Sequence, residues 1–211
     1  MKNTRIKMRD TIKQHIINNR KEYVIISLLF IIGIFFGVLF VNNVQEAKKI
    51  EITSYFNNFV EKLKSVENLE FNELFKTSIW QNTVLALTIW FFGTTVIGIP
   101  VVFGIVMYRG FCLGYTIATC ISIMGIPKGL IFIFISILLQ NIILIPAILA
   151  LAVSGFKLYK SIVKDNRKEN IKLEIARHTI FSIIMLLIMF VSSLIEIFVS
   201  TNLLKSLIKY F

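Results

Sequence analysis

The sequence predicts an all-α polytopic membrane protein, and three observations lead to this fold class. First, 56% of the 211 residues are hydrophobic and 17% are charged, whereas a soluble domain has about 45–50% and about 25%. Second, the apolar residues form long blocks without charge, and residues 77–108 are a run of 32 uncharged residues. Third, these blocks lack the polar–apolar alternation that the strands of a membrane barrel require.

Five blocks are long enough to cross the hydrocarbon core, which needs about 20 apolar residues. We predict transmembrane helices over residues 23–43, 79–108, 110–127, 129–156 and 179–204. Residues 1–22 are a basic N-terminal segment, and residues 23–211 are a single integral membrane domain. The first span is expected to be an uncleaved anchor, because its apolar run is too long for a signal peptide and lacks a small-residue cleavage pattern.

The distribution of basic residues predicts how the chain is oriented. Residues 1–22 contain seven Lys and Arg against two acidic residues, and the loop 157–178 contains seven against three. The segment 42–76 contains five basic and six acidic residues. Short loops rich in Lys and Arg stay in the cytoplasm, so we expect a cytoplasmic N-terminus, a cytoplasmic loop 157–178, an external segment 42–76 and an external C-terminus. The basic segments are expected to contact anionic lipids of the bilayer, and no nucleic-acid-binding domain is indicated.

The external segment 42–76 contains an amphipathic helical stripe. Four apolar residues recur there at spacings of three and four, which is typical of one helix face; they are Ile52, Phe56, Phe59 and Leu63. Two interpretations stay open. The stripe packs on the bilayer or on the bundle, or it is the docking face for an extracytoplasmic partner.

Two pairs of glycines predict close helix packing. Gly33 and Gly37 lie four residues apart in the first span, and Gly110 and Gly114 have the same spacing. Glycines four apart share one helix face and let a neighbouring backbone approach closely. We therefore take all four as candidate helix-packing residues.

The glycine-rich region around Arg109 predicts a broken helix. A straight helix over residues 77–108 would be about 48 Å long, which exceeds the bilayer core of about 30 Å. The chain therefore turns either at residues 98–100 or at Arg109. The cost of a guanidinium group at the bilayer centre favours the turn at Arg109.

Polar residues within the spans are candidates for the bundle core. They are Arg109, Gln140, Asn141 and Glu196. The two amides need partners on neighbouring helices, so they either hold the bundle together or line a polar pathway. Glu196 is the only acidic residue within a span, and it is either paired with Arg109, protonated, or functional.

No catalytic arrangement is indicated by the sequence. It contains no metalloprotease, nucleophile-elbow or Walker motif, so we expect neither an enzyme nor a bound metal or cofactor. Cys112 and Cys120 lie in an apolar block and are interpreted as small buried hydrophobic residues. His15 and His178 lie in basic segments and are interpreted as solvated residues.

Four runs of sequence resemble the stage II sporulation protein M family. The runs are GIPVVF at 98–103, YRGFCLGY at 108–115, MGIPKG at 124–129 and ILLQNIILIP at 137–146. The resemblance extends over nearly the whole chain. The wider family often has His-Gly-x-x-Glu before the last Ile-Pro, and this chain has Gln140, Asn141 and Leu144 at those positions, as in a sporulation-type variant.

The resemblance implies a non-enzymatic membrane scaffold of the sporulation engulfment machinery. It implies that the chain holds two peptidoglycan-degrading partners, stage II sporulation proteins D and P, at the septal or engulfing membrane. A homo-oligomer is compatible with this role. The alternative function is a small channel or secondary transporter, because broken helices and polar residues at mid-depth also build transport sites. An internal cavity that reaches Gln140, Asn141 and Glu196 would favour the alternative.

Overall fold

The computed structural model describes residues 17, 19–65, 71–164 and 168–200. Among these residues it contains no strand, which confirms the all-α class. The α-helices are α1 (Arg20–Asn42), α2 (Glu46–Ser65), α3 (Phe71–Gly93), α4 (Ile99–Met124), α5 (Ile126–Ile133), α6 (Leu139–Lys164) and α7 (Lys168–Ile195). A π-helical segment (Phe134–Leu138) joins α5 to α6, and a second (Glu196–Ser200) continues α7.

Four stretches of the described helices are long and apolar enough to cross a membrane. They are Arg20–Asn42, Ile99–Met124, Ile126–Val163 and Ile171–Val199. Helix α3 is not one of them, because polar side chains such as Ser78, Gln81 and Asn82 reduce its mean hydropathy. It nevertheless packs within the bundle, against α4, α6 and α7.

The second and third predicted spans have different boundaries in the structure. Helix α3 ends at Gly93, the chain turns through residues 94–98, and α4 continues unbroken through Arg109. Pro100 lies in the first turn of α4, where its missing N–H costs no hydrogen bond. A Cβ at Gly98 would collide with a backbone carbonyl of α3, so this tight turn requires glycine. The prediction of a turn at Arg109 is therefore wrong.

The later predicted boundaries also shift. The predicted span 129–156 is part of a continuous helical stretch of 38 residues, Ile126–Val163. Most of the predicted loop 157–178 is helical, because α6 extends to Lys164 and α7 begins at Lys168. The connecting residues 165–167, and residues 201–204 of the predicted last span, lie outside the described residues.

Glycines on both sides form the interface between α1 and α4. A Cβ on Gly33 or Gly37 would collide with backbone carbonyl oxygens of α4. A Cβ on Gly110 or Gly114 would likewise collide with backbone carbonyl oxygens of α1. All four glycines are buried, so the two helices pack backbone to backbone.

The register of this interface defines the directions of three helices. Gly33 lies beside Met107, and Gly37 lies beside Phe111. Residue numbers therefore increase in the same direction along α1 and α4, and these helices are parallel. Since α3 leads into α4 through the tight turn at residues 94–98, α3 runs in the opposite direction.

The five long helices other than α2 share one apolar core. Its fully buried members include one residue from each of α1, α3, α4, α6 and α7, and these are Ile26, Ile89, Val102, Leu151 and Met189. Each of these side chains is 0% exposed. Helix α3 thus contributes to the core as the other helices do, although its composition is more polar.

His178 is buried, and its interpretation as a solvated residue is wrong. Its side chain is 2% exposed, and its Nδ1 lies 2.8 Å from the hydroxyl oxygen of Ser154. The space for the imidazole exists because Gly93 of α3 faces Gly155 of α6 beside it. His15 lies outside the described residues.

Candidate functional site

A cavity of about 780 Å³ lies within the bundle and is lined by polar as well as apolar side chains. Its walls come from α1 to α6 and from both π-helical segments. The cavity contains all four residues that the sequence indicated for the bundle core, which are Arg109, Gln140, Asn141 and Glu196. The structure therefore brings together residues that are far apart in the chain. Arg109 and Glu196, for example, are separated by 87 positions.

One wall of the cavity is organised around the carboxylate of Glu196. Its Oε2 accepts a hydrogen bond of 2.5 Å from the Ser78 hydroxyl and one of 2.7 Å from Gln140 Nε2. These bonds connect α3 and α6 to the π-helical segment after α7. Glu196 therefore links three elements of the bundle through a single oxygen atom.

A second set of hydrogen bonds extends this wall. Asn82 Nδ2 donates to the Ser193 hydroxyl over 2.7 Å, and the Ser192 hydroxyl donates to the Gln140 backbone carbonyl over 3.0 Å. Ser192 and Ser193 are 0% exposed and Asn82 is 3% exposed. Buried polar groups in a membrane interior need such partners, so this network fixes how α3, α6 and α7 pack.

The two adjacent amides of α6 have different roles. Gln140 reaches across to Glu196, whereas Asn141 Nδ2 donates to the carbonyl of Ile137 in its own chain segment over 2.7 Å. Ile137 belongs to the π-helical segment. Gln140 therefore links helices, while Asn141 lines the cavity and stabilises the π-helical segment locally.

Arg109 lies on the opposite wall, which α4 provides. It shares a helix face with Cys112, Thr116 and Thr119, at spacings of three and four, and all four line the cavity. Arg109 and Glu196 both line the cavity, but none of the ion pairs among the described residues joins them. Within the described part of the chain, the two residues therefore line the same cavity without forming an ion pair.

Helix α2 covers one side of the cavity. Its residues Lys48, Glu51 and Tyr55 line the cavity and are exposed, and Ile52 lines it while half-buried. The ring of Phe56 packs edge-to-face on that of Phe132 in α5, with centroids 5.8 Å apart.

The described part of the predicted docking stripe therefore faces the bundle. Ile52 and Phe56 face the cavity and α5, as the packing interpretation of the stripe requires. The side chains of Phe59 and Leu63 lie outside the described residues.

Several residues of the site were not singled out from the sequence. Ser78 and Asn82 lie in a block that was read only as uncharged, and Ser192 and Ser193 lie in the last span. A signal existed, because small polar residues within apolar spans often make interhelical hydrogen bonds. Their partners, however, depend on how α3 and α7 are packed together, which the sequence does not specify.

Metal-ligating groups are not clustered in the part of the chain that the structure describes. No group of three or more His, Cys, Asp and Glu residues lies close enough there to hold a metal ion. Cys112 and Cys120 are free thiols; Cys120 is 1% exposed and packs in an apolar cluster with Phe132.

Membrane-length apolar helices around a polar cavity define a multi-pass α-helical membrane protein. Residues 26–201 match the family model described as Stage II sporulation protein M, and the chain belongs to this family. The match confirms the resemblance seen in the sequence and indicates a sporulation-related membrane protein. Comparisons with curated proteins and with solved structures gave no match.

Proposed function

We propose that the protein is a membrane scaffold of the sporulation engulfment machinery. It holds peptidoglycan-degrading partners, stage II sporulation proteins D and P, at the septal or engulfing membrane. Membership of the family supports the link to sporulation. The observation that carries the scaffold role is the position of α2, which is anchored on the bundle through Phe56 while two large side chains, Ile50 and Tyr55, remain 69% and 81% exposed.

The proposed topology has five passes, with the N-terminus in the cytoplasm and the C-terminus outside. Lys160, near the end of α6, forms an ion pair of 2.7 Å with Glu22 at the start of α1. The start of α1, which follows one basic segment, and the end of α6, which belongs to the other, thus lie at the same end of the bundle. The preference of basic loops for the cytoplasm assigns this end to the inside.

Helix α3 supplies the fifth pass in this topology. It has 23 residues, so it is about 34 Å long and can cross a core of about 30 Å. Its direction is opposite to that of α1, and its polar residues Ser78 and Asn82 face the bundle interior rather than lipid. With α3 as a pass, α2 lies on the external side, where wall-degrading partners act.

Co-purification from sporulating cells tests the scaffold role. In the variant Ile50→Ser/Tyr55→Ser, the exposed apolar surface of α2 is lost while the contact of Phe56 with the bundle is kept. We expect less of both hydrolases to co-purify with the tagged variant at equal membrane level. The matched control is Asn57→Ser/Asn58→Ser, which alters exposed residues of the same helix but removes little apolar surface. Equal recovery from both variants would contradict docking on α2.

A second function, transport of a small solute, is favoured by the cavity itself. The cavity reaches Gln140, Asn141 and Glu196, which is the feature that favours a transport site over a purely structural core. Toward the proposed cytoplasmic end its lining stops at Phe30 and Ile148. The next helical turns contain the fully buried core, so a solute would cross only after a rearrangement. Solute flux in proteoliposomes that changes in a Gln140→Leu variant would support transport.

A further inference from the structure

Arg109 is a half-buried cation that lines the cavity. It lies ten residues after Ile99, the first residue of α4, which is about 15 Å along the helix and near the middle of a hydrocarbon core of about 30 Å. None of the ion pairs among the described residues involves Arg109. A guanidinium group offers five N–H donors, and at this depth it needs an anion or other acceptors.

Thr119 is a second polar residue that lines the same cavity. Its side chain is 7% exposed and lines the cavity. Its hydroxyl has no hydrogen-bond partner within the described part of the chain. A buried hydroxyl without a partner costs about 1–3 kcal/mol. By contrast, the neighbouring Thr116 hydroxyl donates to the carbonyl of Cys112 over 2.8 Å.

The positions of Arg109 and Thr119 define the length of a ligand. Both lie on the cavity face of α4, ten residues apart, so they are separated by about 15 Å along the helix. Between them the wall contains Leu113, and Phe132 and Leu144 line the cavity from α5 and α6. A cavity with apolar walls and a few polar groups is typical of sites for small organic molecules.

The opposite wall restricts where the charge of a ligand can lie. Glu196 already accepts hydrogen bonds from Ser78 and Gln140, so on that side its Oε2 is an occupied acceptor and offers no donor to an anion. An anionic group is therefore held at the α4 wall, against Arg109. On the side covered by α2 the cavity lining carries both Lys48 and Glu51, which are exposed, so this side adds no net charge.

We propose that the cavity binds an elongated amphiphilic anion. Its carboxylate or phosphate group contacts Arg109, its apolar body lies along Leu113 and Leu144, and a second hydrogen-bonding group lies near Thr119. The ligand enters from the external side, beside α2. Tyr55 belongs both to the cavity lining and to the exposed surface of α2 that is proposed for protein docking, whereas Arg109 and Thr119 belong only to the cavity, so variants of these two residues test the ligand site without altering the docking surface.

Ligand-dependent thermal stabilisation of the purified full-length chain in a neutral detergent tests this site. The main probe is 12-hydroxydodecanoate, whose two polar ends can span the distance from Arg109 to Thr119. The comparison probes are dodecanoate, which lacks the hydroxyl group, and 1,12-dodecanediol, which lacks the charge. Dodecyl phosphate tests whether a phosphate group can replace the carboxylate. Sodium acetate tests whether the apolar body of the ligand is needed for binding.

Wild-type protein should be stabilised in a saturable way, with an apparent affinity read from the concentration dependence. We expect the hydroxy acid to bind at least about tenfold more tightly than the diol, because a charge-assisted contact with Arg109 is worth that much. It should bind about two- to tenfold more tightly than dodecanoate, as expected for one hydrogen bond to Thr119.

Each preference should disappear in only one variant. Arg109→Gln should abolish the preference for the acid over the diol, and Thr119→Val should abolish the preference for the hydroxy acid over dodecanoate. Thr119→Val is nearly isosteric, so it keeps the test available if Arg109→Gln does not fold. The matched control is Arg177→Gln, which removes a cation that is 62% exposed in its side chain and paired with Glu174; it should retain both preferences.

Three results would overturn the proposal. The first is no saturable stabilisation of the wild-type protein by any of the long-chain anions. The second is that both preferences persist in Arg109→Gln and Thr119→Val, which would mean that the probes bind as detergents do. The third is that acetate stabilises the protein as much as the long-chain anions do, which would mean that the apolar body of the ligand is not recognised.

Discussion

The interface between α1 and α4 gives the most quantitative prediction. In the double variant Gly33→Ala/Gly110→Ala, one new Cβ collides with a backbone carbonyl of α4 and the other with a backbone carbonyl of α1. Backbone atoms cannot rotate away as a side chain can, so the helices must separate. Overpacking of this kind costs about 1–3 kcal/mol per site.

Helix propensity opposes part of this cost. Replacing glycine by alanine inside a helix gains roughly 0.5–1 kcal/mol per site, so the midpoints of the two ranges, about 4 kcal/mol lost and about 1.5 kcal/mol gained over both sites, leave a net loss of about 2–3 kcal/mol. At about 2–4 °C per kcal/mol for a chain of this size, its unfolding temperature in detergent should fall by roughly 4–12 °C.

The control for this prediction is Gly104, which lies on α4, the helix that also contains Gly110. Gly104 has no atom within 4 Å of its would-be Cβ, so Gly104→Ala gains helix propensity without a collision. Its unfolding temperature should be unchanged or higher. If Gly33→Ala/Gly110→Ala unfolded at the same temperature as Gly104→Ala, the backbone-to-backbone packing of α1 against α4 would be contradicted.

Three further predictions concern topology, the amide pair and the buried histidine. A cysteine at Ser65 should react with a membrane-impermeant reagent from outside, and one at Asn166 only from inside; the reverse pattern would contradict the five-pass topology. Gln140→Leu should lower the unfolding temperature more than Asn141→Ala, because only the Gln140 side chain bonds to another helical element. Interhelical hydrogen bonds of this kind average about 0.6 kcal/mol and reach about 1.7 kcal/mol. Equal effects of the two substitutions would contradict the different roles assigned to the two amides. His178→Ala should destabilise the protein by about 2 kcal/mol or more, since it leaves a cavity, whereas a solvated histidine would give almost no change in unfolding temperature.

Much of the helical architecture could be predicted from the sequence because it depends on local properties. Long uncharged blocks indicated membrane helices, and the spacing of Gly33 and Gly37, and of Gly110 and Gly114, indicated faces for close packing. The spacing alone does not show which part of α4 packs against Gly33 and Gly37, or which part of α1 packs against Gly110 and Gly114. It depends on the register between α1 and α4, which is a property of the folded bundle.

The turn at Arg109 was wrongly predicted for an instructive physical reason. The cost assigned to the guanidinium assumed that it would face lipid. In the structure Arg109 faces a cavity inside the bundle, so the cost is smaller and α4 continues past it. The tight turn occurs at residues 94–98 instead, where Gly98 at its end and Pro100 in the first turn of α4 are strong local signals for a helix boundary.

The composition of the site was only partly predictable. Gln140, Asn141, Arg109 and Glu196 stand out because amides and charges are rare within apolar spans. The contributions of α3 were overlooked, because the hydroxyl and amide groups of that helix are individually unremarkable in an uncharged block. Only the packing of α3 against α7 shows that they complete the hydrogen bonding of the carboxylate wall.

The scaffold proposal is tested most directly by reconstitution. The purified chain is placed in lipid nanodiscs and mixed with the external parts of stage II sporulation proteins D and P, and the mass of the resulting particles is measured. The proposal predicts particles that contain the chain with both partners at once, and fewer of them with Ile50→Ser/Tyr55→Ser than with wild type. Particles that contain neither partner, or that never contain both together, would contradict it.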